Sequence, residues 1–152
     1  MKKEFKLVVK KSQLPKSGKG LYTLENIPKG EYIIEYKGEI ITDKEATRRA
    51  AEDDCYGYMF YINKNRCIDA YYTTEHKARY ANDAAGLGRV EDLKNNSVYE
   101  TIDKKCFIKS TRNIKAGEEI FVSYGKEYWK VIKENIEIEK QNKKLAQRKR
   151  KK

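Results

Sequence analysis

Asn113-Ile114-Lys115-Ala116-Gly117-Glu118-Glu119-Ile120-Phe121-Val122-Ser123-Tyr124-Gly125 is the stretch from which the fold is read. A turn centred on Lys115-Ala116-Gly117 gives way to a run rich in β-branched and aromatic residues, which predicts a strand ending at a Tyr-Gly corner. Upstream, Cys106 to Ile114 has the same character, so the two runs are expected to form a hairpin. The stretch also has an echo. Asn26-Ile27-x-x-Gly30-Glu31-x-Ile33 repeats the pattern Asn113-Ile114-x-x-Gly117-Glu118-x-Ile120. Either one turn solution is used twice or an ancestral unit was duplicated; eight positions are too few for a repeat architecture.

Working outward, the body from about Phe5 to Trp129 reads as short strands separated by turns. Tyr32 to Ile41 is strand-like and broken at Gly38. Tyr58 to Ile62 and Arg66 to Asp69 flank Asn63-Lys64-Asn65, a second hairpin pattern. Asp43 to Asp54 reads as a short helix with Thr42 or Asp43 as N-cap. From Lys126 onward, Trp129, Ile132 and Ile136 fall at helical spacing, and this face is expected to dock on the body. After Ile138 the periodicity fades.

Composition narrows the function classes. The chain has 152 residues, one domain's worth, with 39% hydrophobic residues and a net charge of +11. No apolar run approaches the ~18 residues that a membrane span requires. Met1-Lys2-Lys3 leads only to the short run Leu7-Val8-Val9, so no secretory signal and an intracellular protein are expected. Cys55, Cys67, Cys106 and the single His76 lack metal-ligand spacing, so neither a disulfide framework nor a zinc site is expected. The charge is concentrated at one end. Lys140 to Lys152 holds eight basic residues and no acidic one, leaving the rest at only +3. Contact with nucleic acid is therefore assigned first to residues 140–152, which otherwise form a solvated arm.

Several clusters carry chemistry, each beside a plainer reading. Gly18-Lys19-Gly20 lets a backbone approach a ligand or simply makes a turn. Arg79-Tyr80-Ala81-Asn82-Asp83 offers an amide suited to an amino-acid-like ligand, or an Asx turn. Tyr36, Tyr58, Tyr61 and Tyr124 lie on or beside strand-like runs. They form a tyrosine-rich core or a narrow aromatic channel able to hold an alkylammonium group. Glu118-Glu119 reads as a turn and a solvated strand, because adjacent strand residues face opposite ways.

Taken in order, these pieces resemble the SET-domain family of protein-lysine methyltransferases. The matching runs are Ser17 to Tyr22, Ile27 to Glu39, Tyr58-Met59-Phe60, Ile68-Asp69-Ala70, Arg79-Tyr80-Ala81-Asn82 and Ala116 to Gly125, closed by Tyr128-Trp129. The resemblance implies a mainly β fold of several small sheets (the β-clip arrangement) with a C-terminal pseudoknot, a short internal helix and a C-terminal helix. It implies a SET domain over residues 5–130, followed by a helical extension and basic tail over 131–152. Gly18, Lys19, Gly20, Arg79, Asn82 and Asp83 match or adjoin the family's motifs for S-adenosylmethionine, with Tyr58, Tyr128 and Trp129 bordering the cofactor. Tyr124 matches the catalytic tyrosine, while Tyr36 and Val122 map onto the lysine channel. No metal is implied.

The implied activity is methylation of lysine in a histone or other basic protein tail. A catalytically silent peptide-binding module and a nucleic-acid-binding protein acting through its tail are the alternatives. The implied location is the nucleus in a eukaryotic host, and otherwise the cytoplasm or that of an exported effector. Two departures stand out. The family's usual Asn-His-Ser/Cys reads Asn82-Asp83-Ala84 here, and the segment from Asn82 to the second family-like asparagine, Asn96, is longer than usual.

Overall fold

The computed structural model describes residues 4–15, 17–53, 58–85, 89–124, 137–138 and 140–148. Three small sheets make up the body. β1 (Leu7–Lys11), β2 (Lys19–Thr23) and β9 (Glu119–Ile120) form an antiparallel sheet in that spatial order. β10 (Val122–Ser123), β7 (Ser97–Ile102), β8 (Lys105–Ser110) and β3 (Tyr32–Tyr36) form the second, with β10 parallel to β7. β4 (Glu39–Ile41), β6 (Arg66–Asp69) and β5 (Met59–Asn63) form the third, in which β5 and β6 make the hairpin expected around Asn63-Lys64-Asn65. The expected mainly β architecture is the one observed. Among the described residues no helix is long and apolar enough to cross a membrane.

Helix α1 (Asp43–Asp53) packs on the third sheet, and Thr42 caps it: its Oγ1 accepts the Glu45 N–H at 3.2 Å. Arg49 then reaches from α1 to Asp69 Oδ2 at 2.8 Å and Glu39 Oε2 at 3.1 Å. Asp69 is wholly buried, so this guanidinium is what keeps its charge compensated. Residues 140–148 are helical and exposed throughout. The helix persists where the apolar periodicity fades, as Lys, Leu, Ala, Gln and Arg are all good helix formers. Trp129, Ile132 and Ile136, expected to dock on the body, lie outside the described residues.

The hairpin expected across Lys115-Ala116-Gly117 does not form. β8 pairs with β7 and β3 instead, while β9 crosses to β2 and β10 to β7. The turn's polar groups explain the difference. Gly117 N–H donates to Thr23 O at 2.7 Å, and Glu118 O accepts Thr23 N–H at 3.1 Å, so the turn is tied to a segment more than ninety residues earlier. The echo accounts for the geometry. Ile27 and Ile114 exchange both backbone hydrogen bonds (2.7 and 2.8 Å). Asn26 Oδ1 accepts Ala116 N–H at 2.9 Å, and Asn113 Oδ1 accepts Lys29 N–H at 2.8 Å. Gly30 and Gly117 share a left-handed φ of 87° and 91°. The two copies thus brace one another about a local pseudo-twofold axis. Ile27 and Ile114 are each 1% exposed, a burial worth about 1.5–3 kcal/mol apiece.

After that turn the chain is threaded. Val122 N–H donates to Asn82 O at 2.9 Å on one side, and Phe121 O accepts Asn96 N–H (3.0 Å) and Ser97 N–H (3.1 Å) on the other. Asn96 locks the passage, donating through Nδ2 to Glu119 O at 2.9 Å and accepting Phe121 N–H at Oδ1 at 3.0 Å. Residues 119–123 therefore run between the two ends of the 83–95 excursion. This is the pseudoknot that the resemblance implied, and it is an arrangement local connection rules do not produce.

Candidate active site

The threading brings the predicted site residues together. Asn82 lies where the chain leaves the short 3-10 helix Lys77–Tyr80, and it forms a parallel bridge with Phe121. Its Nδ2 donates to Lys19 O at 3.0 Å, which joins Asn82 to Gly18-Lys19-Gly20. Arg79 sits one turn earlier. Its Nε donates to Ala70 O at 2.8 Å and its Nη2 to Tyr71 O at 3.1 Å. Its guanidinium lies 4.4 Å from the Tyr58 ring centroid and 4.9 Å from that of Tyr80. Arg79 thus anchors the corner that carries Tyr58.

Tyr124 is fixed at both ends. Its hydroxyl donates to Ala81 O at 2.7 Å, and its backbone N–H donates to Asp83 Oδ2 at 2.9 Å. Its ring stacks on Tyr99, with centroids 6.2 Å apart and planes 18° apart. Tyr99 in turn meets Tyr36 edge-on at 5.7 Å and Phe60 at 5.3 Å. Tyr36 is buried and donates its hydroxyl to Tyr58 O at 2.8 Å. Burial holds the Tyr36 phenol well above its ordinary range, with the Cys106 thiol pushing the same way and Arg79 opposing, so Tyr36 stays a neutral donor. Sequence reasoning missed Tyr99, the ring that joins the other aromatics. Its one signal was a tyrosine at an alternate position of Ser97-Val98-Tyr99-Glu100.

Asp83 is 6% exposed, and its carboxylate is engaged within the fold. Oδ1 accepts Ala85 N–H and Asn95 Nδ2, both at 2.8 Å, and Oδ2 accepts the Tyr124 N–H. The residue that stands in place of the family's histidine therefore ties the 83–95 excursion to Tyr124. Val122 is wholly buried in the main core cluster, which also includes Tyr36, with Tyr124 packed against it. Glu119, expected on a solvated strand, is instead 2% exposed. Its carboxylate accepts Ser12 Oγ–H at 2.6 Å and Gln13 N–H at 2.9 Å. Tyr128 and Trp129 lie outside the described residues.

The arrangement can hold a ligand of mixed polarity. A groove of about 630 Å³ runs along Lys10, Lys11, Gln13, Gly18 and Lys19. Gly18 adopts φ +64°, and a Cβ there would meet nothing within 4 Å, so the backbone is open to approach. Lys10, Lys11, Lys19 and the Gln13 amide give this groove positive charge and hydrogen-bonding groups, while Asn82 adjoins it through Lys19 O and the Arg79–Tyr58 stack lies outside its lining. A second groove, about 480 Å³, is lined by Phe5, Tyr32, Ile34 and Phe107 and contains none of the predicted site residues. Among the described residues no cluster of His, Cys, Asp and Glu could hold a metal ion.

Comparison with known proteins agrees with this geometry. The family model of the SET domain matches residues 18–125. The histone-lysine N-methyltransferase EZH2 of Chaetomium thermophilum is 30% identical over 146 residues, 90% of this chain and 9% of that protein. The N-lysine methyltransferase KMT5A of Xenopus tropicalis is 31% identical over 125 residues, 77% of this chain and 36% of the relative. The histone-lysine N-methyltransferase SUV39H2 of the same species is 34% identical over 113 residues, 70% and 27%. A humanized mutant of Chaetomium thermophilum Polycomb Repressive Complex 2, solved with an inhibitor bound, superposes with a TM-score of 0.64 at 30% identity, over 81% of this chain and 15% of the solved one. The chain spans between a tenth and about a third of the length of these relatives. With the motifs in order, the strand threaded between Asn82 and Asn96, and the family match over most of the body, this chain belongs to the SET-domain family.

Proposed function

We propose that this chain is an S-adenosylmethionine-dependent protein-lysine N-methyltransferase acting on histone or other basic protein tails. One observation carries the reading. Asn82 holds the Gly18-Lys19-Gly20 loop through Lys19 O, while its neighbour Ala81 holds the Tyr124 hydroxyl, so the cofactor loop and the phenol hang on consecutive residues. The names of the relatives support the activity, and the open backbone at Gly18, with Asn82 bonded to the same loop, supports the cofactor, whose charged sulfur supplies an electrophilic methyl group.

The chain's own residues meet the remaining demand. A lysine amine with an ordinary pKa of about 10.4 must lose its proton, which costs roughly 4.6 kcal/mol at neutral pH. Desolvation in a channel walled by Tyr36, Tyr99 and Phe60 disfavours a charged ammonium and lowers that cost, opposing the rings' own attraction for a cation. Tyr124, whose O–H donates a hydrogen bond to Ala81 O, keeps phenol lone pairs that accept an amine N–H and orient the nitrogen. Val122 is small and lacks a hydroxyl, which leaves the lysine channel room for more than one methyl group. In this reading residues 5–130 are the catalytic domain. Residues 131–152 are an extension whose basic tail contacts nucleic acid, and the protein is nuclear in a eukaryotic host.

The test is transfer of a labelled methyl group from S-adenosylmethionine to mixed histones, paired with calorimetric cofactor titration. Labelled histone lysine and weaker cofactor binding by Asn82→Ala are expected. Absence of both transfer and cofactor binding in the native chain would overturn the proposal.

A further inference from the structure

The two glycines of Gly18-Lys19-Gly20 occupy different environments. A Cβ at Gly18 would point into open space. A Cβ at Gly20 would lie 2.2 Å from Glu119 Oε2, 2.9 Å from Glu119 Cδ and 3.2 Å from Ser12 Cβ. Contacts under 3 Å to the carboxyl of a side chain packed this tightly cannot be relieved by a small adjustment, because Glu119 is 2% exposed and its oxygens are held. Oε2 accepts Ser12 Oγ–H at 2.6 Å, and Oε1 accepts Gln13 N–H at 2.9 Å, with Gln13 Nε2 at 3.4 Å. Ser12 Oγ then accepts Leu14 N–H at 3.1 Å, and Ser12 N–H donates to Gly18 O at 2.8 Å. The carboxylate thus holds Ser12 and Gln13 directly, and the Ser12 backbone N–H carries that hold to Gly18. Its negative charge is felt at Tyr22, whose phenol is pushed up to about 12 by burial and by Glu119.

We infer that Glu119 is a positioning residue for the cofactor loop, and that residue 20 is glycine to make room for the Glu119 carboxylate rather than for a ligand. Glu119 touches no reacting atom. It acts through Ser12, Gln13 and the Gly18 carbonyl on the backbone that the ligand would meet. A buried carboxylate with several protein donors is the group that can fix a turn of this length, since each charge-assisted bond exceeds a neutral one. The loop half of the inference rests on the cofactor site proposed above; the glycine half rests on packing alone.

A double-mutant cycle separates the two. Gly20→Ala, Glu119→Ala and the pair together are compared with the native chain by thermal midpoint and by calorimetric affinity for S-adenosylmethionine. Gly20→Ala is expected to lower the midpoint clearly in the native background and to cost nothing further once Glu119 is alanine. Equal losses in both backgrounds would overturn the packing assignment. Glu119→Ala is expected to raise the cofactor KM about tenfold, with kcat at saturating cofactor and the KM for a lysine peptide within a few-fold of native. Glu119→Gln, which keeps the shape and one acceptor, should recover part of that loss. Unchanged cofactor KM in Glu119→Ala would refute the positioning role. Should Glu119→Ala fail to fold, Ser12→Ala removes one of the carboxylate's donors and must move the cofactor KM in the same direction; no movement counts against the inference. A native chain that binds no cofactor would sink the proposed function, while the midpoint cycle would still decide the glycine half.

Discussion

Replacing Asp83 by asparagine exchanges one acceptor oxygen for a donor amide while keeping size and shape. In the native fold Oδ1 collects two donors, Ala85 N–H and Asn95 Nδ2, and Oδ2 collects one, Tyr124 N–H. The least costly placement keeps the asparagine oxygen under the two donors. The new NH2 group then faces the Tyr124 N–H. One charge-assisted hydrogen bond is lost, and a poorly accessible backbone donor is left against another donor, which costs about 1–3 kcal/mol. For a chain of this size about 2 kcal/mol corresponds to a midpoint lowered by roughly 4–8 °C. The loss falls on the bond that positions Tyr124, so on the proposed function turnover should fall more steeply than stability, on the order of a hundredfold for a displacement near an ångström. Asp83→His, which restores the family's usual residue, should do no better, because an imidazole cannot accept three donors. Thermal and urea denaturation measure the first effect and methyl transfer the second. An Asp83→Asn variant with native midpoint and native turnover would refute the reasoning.

Other expectations are simpler. Arg49→Ala leaves the wholly buried Asp69 without its guanidinium and should destabilise the chain by about 3–5 kcal/mol, read by urea denaturation. The Cys106 thiol is pushed up to about 12, chiefly by burial and further by the Glu35 charge. The unfolded chain therefore sheds this proton first. Stability should be full below the ordinary thiol pKa of about 8.5 and decline as pH climbs toward 12, with Tyr22 adding to the decline above about pH 10. Denaturation midpoints across that range check the slope, which Cys106→Ala should lessen. Val122→Tyr adds a ring at a wholly buried position and should cost about 1–3 kcal/mol. On the proposed function it should also shift products toward monomethyl-lysine, read by mass spectrometry.

Strands were legible in the sequence where β-branched and aromatic residues ran between turn residues, as in Tyr32-Ile33-Ile34-Glu35-Tyr36 and the Met59–Asp69 hairpin. Their partners were less so. Cys106 to Ile114 and Glu119 to Tyr124 look like neighbours across a short turn, yet Gly117 and Glu118 spend their hydrogen bonds on Thr23. Pairing of that range is decided by the Ile27–Ile114 contact, which local periodicity does not encode. The same limit applies at the site. Asn82 and Tyr124 could be named from motifs, and the threading unites them. Strand alternation placed Glu119 outward, because alternation assigns a face without saying what covers it; here the Ser12–Gly18 turn does. Asp83 was named from its place in the motif, and nothing local announced that its carboxylate also reaches Asn95 and Tyr124, twelve and forty-one residues away.

On the proposed function, Tyr124 supplies the one phenol between the loop held by Asn82 and the aromatic residues around Tyr99. Tyr124→Phe removes only the oxygen that bonds Ala81 O at 2.7 Å and keeps the ring stacked on Tyr99. Measured side by side with the native chain, the variant should bind S-adenosylmethionine with affinity within a few-fold of native while methyl transfer to lysine collapses. Native-level transfer by Tyr124→Phe would contradict the account.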